Sequence, residues 1–333
     1  MSRQPVARPL RKPRPGRSSG LGIATGPPRL ARIGLIALGL GLGAAAAVVA
    51  QNFDNVQVTS EKVADGIWAL KGRGGNIGLF AGADGVVLID DQFAPLSPKI
   101  KAAIKALTDH PVDLIINTHW HGDHTGGNEN FARDGVKIIA HDNVRKRMSE
   151  AHIFSGVRHD TVPPSPPLAL PILTYADGVT IHLNGEEGSV IHVPPAHTDG
   201  DSYVWFHHAN VIHTGDLCFN GFYPFIDASS GGNIDGMIGA DDRILAIADD
   251  RTRIIPGHGP LTDKAGLKQF RDMLAEVRGR VAKQLVAGRS VEQLIASHPT
   301  ADLDSIWGKG SIKPDVFLTG VYEDLSKHGA AKP

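Results

Sequence analysis

The amino-acid sequence predicts an α/β protein in which two packed β-sheets are flanked by helices. Short apolar runs punctuated by glycines follow Gln51, a pattern typical of strands joined by tight turns. Strand and helix signals then alternate twice along the chain, an order that favours stacked layers of sheet and helix. No linker separates the two halves, so residues 51–333 are expected to form one domain.

The first half opens with hairpins and continues with a strand, helix, strand unit. Ile100, Ile104 and Leu107 recur at helical spacing and predict a helix over residues 97–107, and a second helix is expected over 143–151. The proline-rich stretch 163–171 fits neither element and is interpreted as a surface loop, placed over a site. The strands are predicted at residues 67–70, 76–81, 86–90, 114–116 and 136–140.

The second half repeats this order. Helices are predicted over 233–248 and 263–287, on either side of a strand at 253–255. Residues 270–333 contain no ligand cluster and are expected to pack as helices, with no function assigned. The strands of the second sheet are predicted at residues 179–183, 189–193, 203–207 and 211–213.

The first 50 residues differ from the rest of the chain. Residues 1–32 carry eight Lys or Arg and no acid, are interrupted by prolines, and are expected to be disordered. Residues 33–50 form an uncharged apolar run that ends in small residues, which is the order of a signal peptide. We therefore expect export to the periplasm or beyond. The alternative is an uncleaved inner-membrane anchor, since this run reaches about 27 Å as a helix.

The remaining domain is acidic. Eight of the 34 Lys and Arg lie in residues 1–50, which leaves 26 against 35 Asp and Glu. This balance argues against nucleic acid as a partner and favours a small-molecule substrate, with membrane contact only through an uncleaved N-terminus. The basic stretch 145–147 is interpreted as a solvated helix face. The single cysteine, Cys218, excludes an intramolecular disulfide and is interpreted as a packing residue.

The strongest chemical signal is the segment 118–128, which directly follows a predicted strand. It brings His119, His121, Asp123 and His124 into six positions, with glycines that permit sharp turns. His119 and His121 can converge on one ion while the other two face a second. Nitrogen and carboxylate ligands suit zinc best, with iron or manganese left open. Four residues are too few for two metals, so further ligands are required.

Three candidate ligands lie downstream, each after an apolar strand. They are His197, Asp216 and His258. Taken singly, His197 could be a turn residue, Asp216 a helix cap and His258 an ordinary loop histidine. Their combination with the first cluster favours a metal centre.

The order His-x-His-x-Asp-His, a lone His, Thr-Gly-Asp and Pro-Gly-His-Gly resembles the metallo-β-lactamase superfamily, from about Val63 to His258. The resemblance implies a four-layer αβ/βα sandwich with the site at one edge between the sheets. It also implies that Asp90 braces the histidine loop, with Asp91 as the alternative. The first metal would be held by His119, His121 and His197, the second by Asp123, His124 and His258, and Asp216 would bridge them.

The resemblance implies a β-lactamase-like hydrolase that opens an amide, lactam, lactone or ester bond with a water activated by two ions, expected to be Zn²⁺. Asp123 is the candidate catalytic residue, because it would orient this water and accept its proton. Residues 197–202 are more like the β-lactamase branch than the glutathione-thioester branch. However, Asp216 and Phe219 stand where cysteine-using β-lactamases carry Cys and a Lys that grips the drug's carboxylate. Weak lactam activity is therefore expected.

Other readings stay open. One alternative is a thioester or lactone hydrolase with little lactam activity, and another is a non-catalytic metal-binding protein of the same fold. A redox diiron protein would normally carry Glu in place of His121. Residues 220–235 are interpreted as a site-lining loop. Within this loop Phe222, Tyr223 and Phe225 form either an apolar wall or packing, and Asn233 is either a substrate-binding oxyanion donor or a helix cap.

Overall fold

The computed structural model describes residues 52–154 and 161–329. The expectations for residues 1–50 lie outside these ranges and stay predictions, while residues 51–333 form one compact unit. The strands of the described residues are β1 (Thr59–Ala64), β2 (Ile67–Lys71), β3 (Ile77–Ala81), β4 (Val86–Ile89), β5 (Leu114–Ile116), β6 (Lys137–His141), β7 (His152–Ile153), β8 (Thr161–Val162), β9 (Leu173–Tyr175), β10 (Gly178–Leu183), β11 (Glu186–His192), β12 (Ser202–Phe206), β13 (Val211–Phe219), β14 (Arg253–His258) and β15 (Thr262–Asp263).

The helices lie between and after these strands. None of the helices in the described part of the chain is both long enough and apolar enough to cross a bilayer. The helices are α1 (Ser97–Lys105), α2 (Gly122–Thr125), α3 (Asn128–Ala132), α4 (Asp142–Ser149), α5 (Ile234–Ile247), α6 (Lys264–Val286), α7 (Val291–Ala296), α8 (Asp304–Trp307) and α9 (Pro314–His328).

Two large sheets form the centre of the molecule. The first has the strand order β1-β2-β3-β4-β5-β6-β9, and the second has the order β10-β11-β12-β13-β14-β15. In the first sheet an antiparallel meander from β1 to β4 passes into parallel pairing from β4 to β9. In the second sheet only the β13–β14 pair is parallel. The strands β7 and β8 form a separate small hairpin.

Three apolar cores stack these elements into four layers. One core, with Ile100 and Ile104 of α1, covers the outer face of the first sheet. A second lies between the sheets, where the rings of Phe80 and Phe206 are 5.0 Å apart. The third joins the second sheet to α5, α6 and α9. The order helix, sheet, sheet, helix confirms the predicted four-layer αβ/βα sandwich.

Most predicted elements agree with the structure to within two or three residues at each end, but β13 does not. Its predicted end was His213, whereas the strand continues to Phe219 and every residue in it is buried. The apolar run stops where the polar residues begin, yet Thr214 and Asp216 stay inside because they face other buried polar groups. The 163–171 segment is a loop, as predicted, with one short turn of 3-10 helix at Pro167–Ala169.

Candidate metal centre

The predicted ligands come together from four strands and the loops that follow them. The loop after β5 supplies His119 to His124, the turn after β11 supplies His197, β13 supplies Asp216 and the end of β14 supplies His258. The one-turn helix α2 starts directly after His121, and it carries Asp123 and His124 into a donor group separate from that of His121. The two groups are adjacent, since the rings of His119 and His124 lie 4.2 Å apart. The site therefore lies at one edge between the two sheets, as the sequence indicated.

The first group consists of His119, His121, His197 and Asp216, one donor atom of each lying within 4.8 Å of the others. His121 Nδ1 and His197 Nε2 are 2.9 Å apart. Burial lowers the pKa of His197 to about 4 and that of His119 well below its usual value. Both imidazoles are therefore neutral at pH 7, the form that binds a metal ion.

The second group consists of Asp123, His124 and His258, again with donor atoms within 4.8 Å of one another. Asp216 lies between the groups: Oδ1 is 3.0 Å from His124 Nε2, while Oδ2 is 3.3 Å from His258 Nε2 and 3.4 Å from His197 Nε2. Its position is the one that a bridging carboxylate would need.

The donor set fits two divalent ions. His119 Nε2 and Asp216 Oδ1 are buried and make no hydrogen bond in the described residues, although Asp216 Oδ1 lies 3.0 Å from His124 Nε2. Orphaned polar atoms of this kind are costly inside a protein. Facing imidazole nitrogens beside a carboxylate are the ligands that zinc prefers, although the same atoms also suit iron or manganese.

Asp90, rather than Asp91, braces the histidine loop. Asp90 Oδ1 accepts from Thr118 N at 2.8 Å, and its Oδ2 lies 2.7 Å from His124 Nδ1 and accepts from Thr118 Oγ1 at 2.7 Å. Thr118 Oγ1 is in turn 3.0 Å from His119 Nδ1. One carboxylate thus orients an imidazole of each group. Asp91 instead accepts from Gly127 N at 2.8 Å and makes no hydrogen bond to an imidazole of the described residues.

Asp227 is an orienting residue that the sequence reasoning missed. Its Oδ2 lies 3.0 Å from His121 Nε2, which leaves Nδ1 of that ring to face the first group. Ser230 Oγ donates to the same oxygen at 2.5 Å, and Trp120 Nε1 donates to Ser230 Oγ at 3.1 Å. Asp227 lies in the loop predicted to line the site, but nothing in the loop's composition distinguished it.

Two glycines are required by the close approach of ligands. A Cβ at Gly75 would lie 2.0 Å from the His124 ring, and one at Gly257 would lie 2.0 Å from Asp216 Oδ1. Gly75 N also donates to Asp123 O at 3.1 Å, so the β2–β3 turn is attached to the histidine loop. Any side chain at either glycine would displace a predicted ligand.

A cavity of about 960 Å³ opens over both groups, and the candidate ligands that line it are His121, Asp123, Asp216 and His258. Phe219 stacks on His258 with ring centroids 5.0 Å apart. The proline-rich loop 163–171 lines the cavity, which agrees with its predicted place over a site. The other aromatic lining residues are Phe93, Trp120, Phe154, Phe222, Tyr223 and Phe225.

The interpretation of residues 145–147 as one solvated face was wrong for Arg147. Arg147 lines the cavity, and its Nη2 lies 2.7 Å from Asp199 Oδ2. Because of this ion pair with Asp199, the side chain of Arg147 lies over the cavity instead of extending from α4 into solvent.

Asn233 is a helix cap and not an oxyanion donor. Its Oδ1 accepts from Gly236 N at 2.7 Å and its Nδ2 donates to Pro195 O at 2.9 Å, so the prediction of substrate contact was wrong. Asn233 also lies outside the residues that line the cavity. Cys218 is fully buried and burial raises the pKa of its thiol well above the usual value, which agrees with a packing role.

Comparison with known proteins gives a family match and several relatives of low identity. The family model described as "Metallo-beta-lactamase superfamily" matches residues 70–269. The chain is 25% identical over 177 residues to the 2,4-dinitroanisole O-demethylase subunit alpha of Nocardioides sp., covering 49% of this chain and 47% of that one. It is 29% identical over 165 residues to the hydroxyacylglutathione hydrolase of Rhodospirillum rubrum, covering 49% and 54%. The chain thus spans about half the length of these relatives.

A solved structure shares the fold. The metallo-β-lactamase from Pontibacter korlensis superposes with a TM-score of 0.56 at 20% identity, over 66% of this chain and 99% of that chain. A likeness at this identity concerns the fold alone. The family match covers more than half of the chain and includes all seven candidate ligands, so the chain belongs to the metallo-β-lactamase superfamily.

Proposed function

We propose that this chain is a di-metal hydrolase, with zinc as the expected ion, that opens ester, lactone or thioester bonds of small substrates in preference to β-lactams. One observation carries the proposal. Seven side chains form two adjacent donor groups, four of them line an aromatic cavity, and two of their buried atoms make no hydrogen bond in the described residues.

The residues of the site have separate tasks. His119, His121 and His197 would hold one ion, Asp123, His124 and His258 the other, and Asp216 both. Ions bound there would activate a water and polarise the scissile carbonyl. Burial opposes ionisation of Asp123, but in the metal-free chain the positive charge of protonated His124 and His258 outweighs it and holds the pKa of this carboxyl well below its usual range. An ion held by the same residues would supply positive charge in place of those protons. Asp123 is therefore an ionised group on the cavity floor, placed to orient a water and accept its proton at Oδ2.

The lining of the cavity favours a substrate that has no carboxylate group for a Lys or Arg to bind. Arg147 is the only Lys or Arg among the described lining residues, and its guanidinium is already paired with Asp199. Phe219 stands where cysteine-using β-lactamases carry the Lys that binds the drug's carboxylate, and its ring stacks on His258. The similarity to a hydroxyacylglutathione hydrolase favours acyl hydrolysis in the same way.

The proposal is tested with residues 51–333 purified with zinc. Bound metal is measured first, followed by turnover of an ester, a lactone, a thioester and a chromogenic cephalosporin. Asp123→Ala should abolish turnover, whereas Asp250→Ala, which changes an exposed turn residue, should leave it intact. Preferential turnover of the cephalosporin would move the substrate to lactams. Two bound metals without any turnover would favour a non-catalytic metal-binding protein.

We also propose that residues 1–50 export the chain to the periplasm or beyond, or anchor it in the inner membrane. The proposal is supported by the basic region, apolar run and small residues in that order. Fusing these residues to a reporter that is active only outside the cytoplasm tests it. We expect the reporter to be active in the fusion. Charged residues placed within residues 33–50 should abolish the reporter's activity.

A further inference from the structure

The C-terminal region, to which the sequence assigned no function, forms one wall of the cavity. Gly310, Ser311 and Ile312 line it, between α8 and α9. These three residues lie beyond residues 70–269, the part of the chain that the family model matches. The wall is therefore contributed by a segment outside the region that defines the family.

Specific contacts fix this segment against the site loop. Phe222 packs on Gly310 so closely that a Cβ there would lie 3.0 Å from the Phe222 side chain. Tyr223 N donates to Trp307 O at 2.8 Å and Tyr223 Oη donates to Asp304 Oδ1 at 2.8 Å. The ring of Tyr223 also stacks on Phe317 of α9, with centroids 4.8 Å apart.

The wall lies on the side of the second donor group. Asn220 N, two residues before Phe222, donates to His258 O at 2.9 Å, so the chain that carries Phe222 leaves the site beside His258. Phe225, by contrast, packs near His121 and His197, with centroids 5.9 and 6.2 Å away. The cavity thus has two aromatic sides, and the C-terminal segment completes only the one beside His258.

We propose that Gly310, Ser311 and Ile312, together with Phe222, form a specificity-determining subsite that binds the apolar chain of the acyl substrate or product. Ile312 is partly buried on the C-terminal core and also faces the cavity, so it presents an aliphatic surface to whatever enters. Ser311 is exposed at the same wall. The inference rests on the proposed function, because it assigns a part of the same cavity.

The test measures binding rather than turnover. Affinities of the zinc-loaded protein for butanoate and octanoate are measured by calorimetry, since both share a carboxylate and differ by four methylenes. Each buried methylene is worth about fourfold in affinity, so octanoate should bind at least about tenfold tighter to the wild type. Ile312→Ala and Ser311→Trp should reduce that ratio to about threefold or less. Ile306→Ala is the matched control, because Ile306 is 59% exposed in α8 and does not line the cavity.

The outcomes separate this inference from the proposed function. The subsite would be overturned if the ratio of octanoate affinity to butanoate affinity were equal in all four proteins. A ratio near one in the wild type would overturn it as well. Because Ser311 is exposed, Ser311→Trp keeps the test decisive if Ile312→Ala folds poorly. A protein with the expected ratios that hydrolyses no ester, lactone or thioester would retain the subsite and lose the proposed reaction.

Discussion

Replacing Asp90 by Asn should weaken metal binding while leaving the backbone in place. Asp90 has φ +63°, a left-handed conformation that Asn tolerates well. Asn can still accept from Thr118 N, but its Nδ2 would meet a protonated His124 Nδ1, where Asp90 Oδ2 now lies at 2.7 Å. His124 must then move its proton to Nε2, the nitrogen that faces Asp216. Losing such an orienting partner costs about 10- to 100-fold in metal affinity.

The assay is competition for zinc against a chromogenic chelator, together with urea unfolding of the metal-free chain. Asp90 Oδ2 accepts from both His124 Nδ1 and Thr118 Oγ1, and each of these two bonds lost in the interior should lower the free energy of unfolding by about 1.5–3 kcal/mol. Asp91→Asn is the matched control. Burial raises the pKa of Asp91 well above its usual value, so an amide replaces a neutral carboxyl and the bond from Gly127 N can remain. An Asp91→Asn variant that loses more zinc affinity than Asp90→Asn would refute the assignment of the brace.

Three further changes test the surroundings of the site. Tyr223→Phe removes the 2.8 Å bond to Asp304 and should cost about 1–2 kcal/mol of unfolding free energy in urea titrations. Asn233→Ala should cost about 1 kcal/mol as a lost helix cap yet leave kcat/KM unchanged, and a selective fall in kcat would restore its substrate role. Neither carboxylate oxygen of Asp241 has a hydrogen-bond partner in the described residues, and burial raises its pKa well above 3.8. The folded chain therefore keeps a proton that the unfolded chain releases, so stability should fall by up to about 1.4 kcal/mol per pH unit as pH rises from about 4 towards the raised pKa. Asp241→Asn should remove this contribution in urea titrations from pH 5 to 8, and an unchanged slope would show that Asp241 is ionised.

The layered fold could be predicted from the sequence because most buried strands are continuous apolar runs bounded by glycine or polar turns. The predicted end of a strand was wrong where residues are buried because they belong to the site and not because they are apolar. In β13, Thr214 and Asp216 are buried polar residues, so the apolar run ended at His213 and the strand does not. The pattern of apolar residues cannot detect a strand whose polar residues are buried because they belong to the site.

The ligand set could be proposed because seven His and Asp residues occur in one recognisable order, each after an apolar run. The supporting residues were harder to find. Asp227 reaches His121 across 106 positions of sequence, and Gly310 reaches Phe222 across 88. Such contacts depend on how the site loop and the C-terminal helices pack. A local pattern contains no information about that packing.

We propose that two metal ions are held by His119, His121, Asp123, His124, His197, Asp216 and His258. The most direct test of this proposal is the zinc content of the purified domain after removal of loosely bound metal, compared with that of His197→Ala and His258→Ala. We expect about two zincs per chain in the wild type and about one in each variant, since each change removes a ligand from one group only. A wild type without bound metal, or variants that retain the full wild-type content, would contradict it.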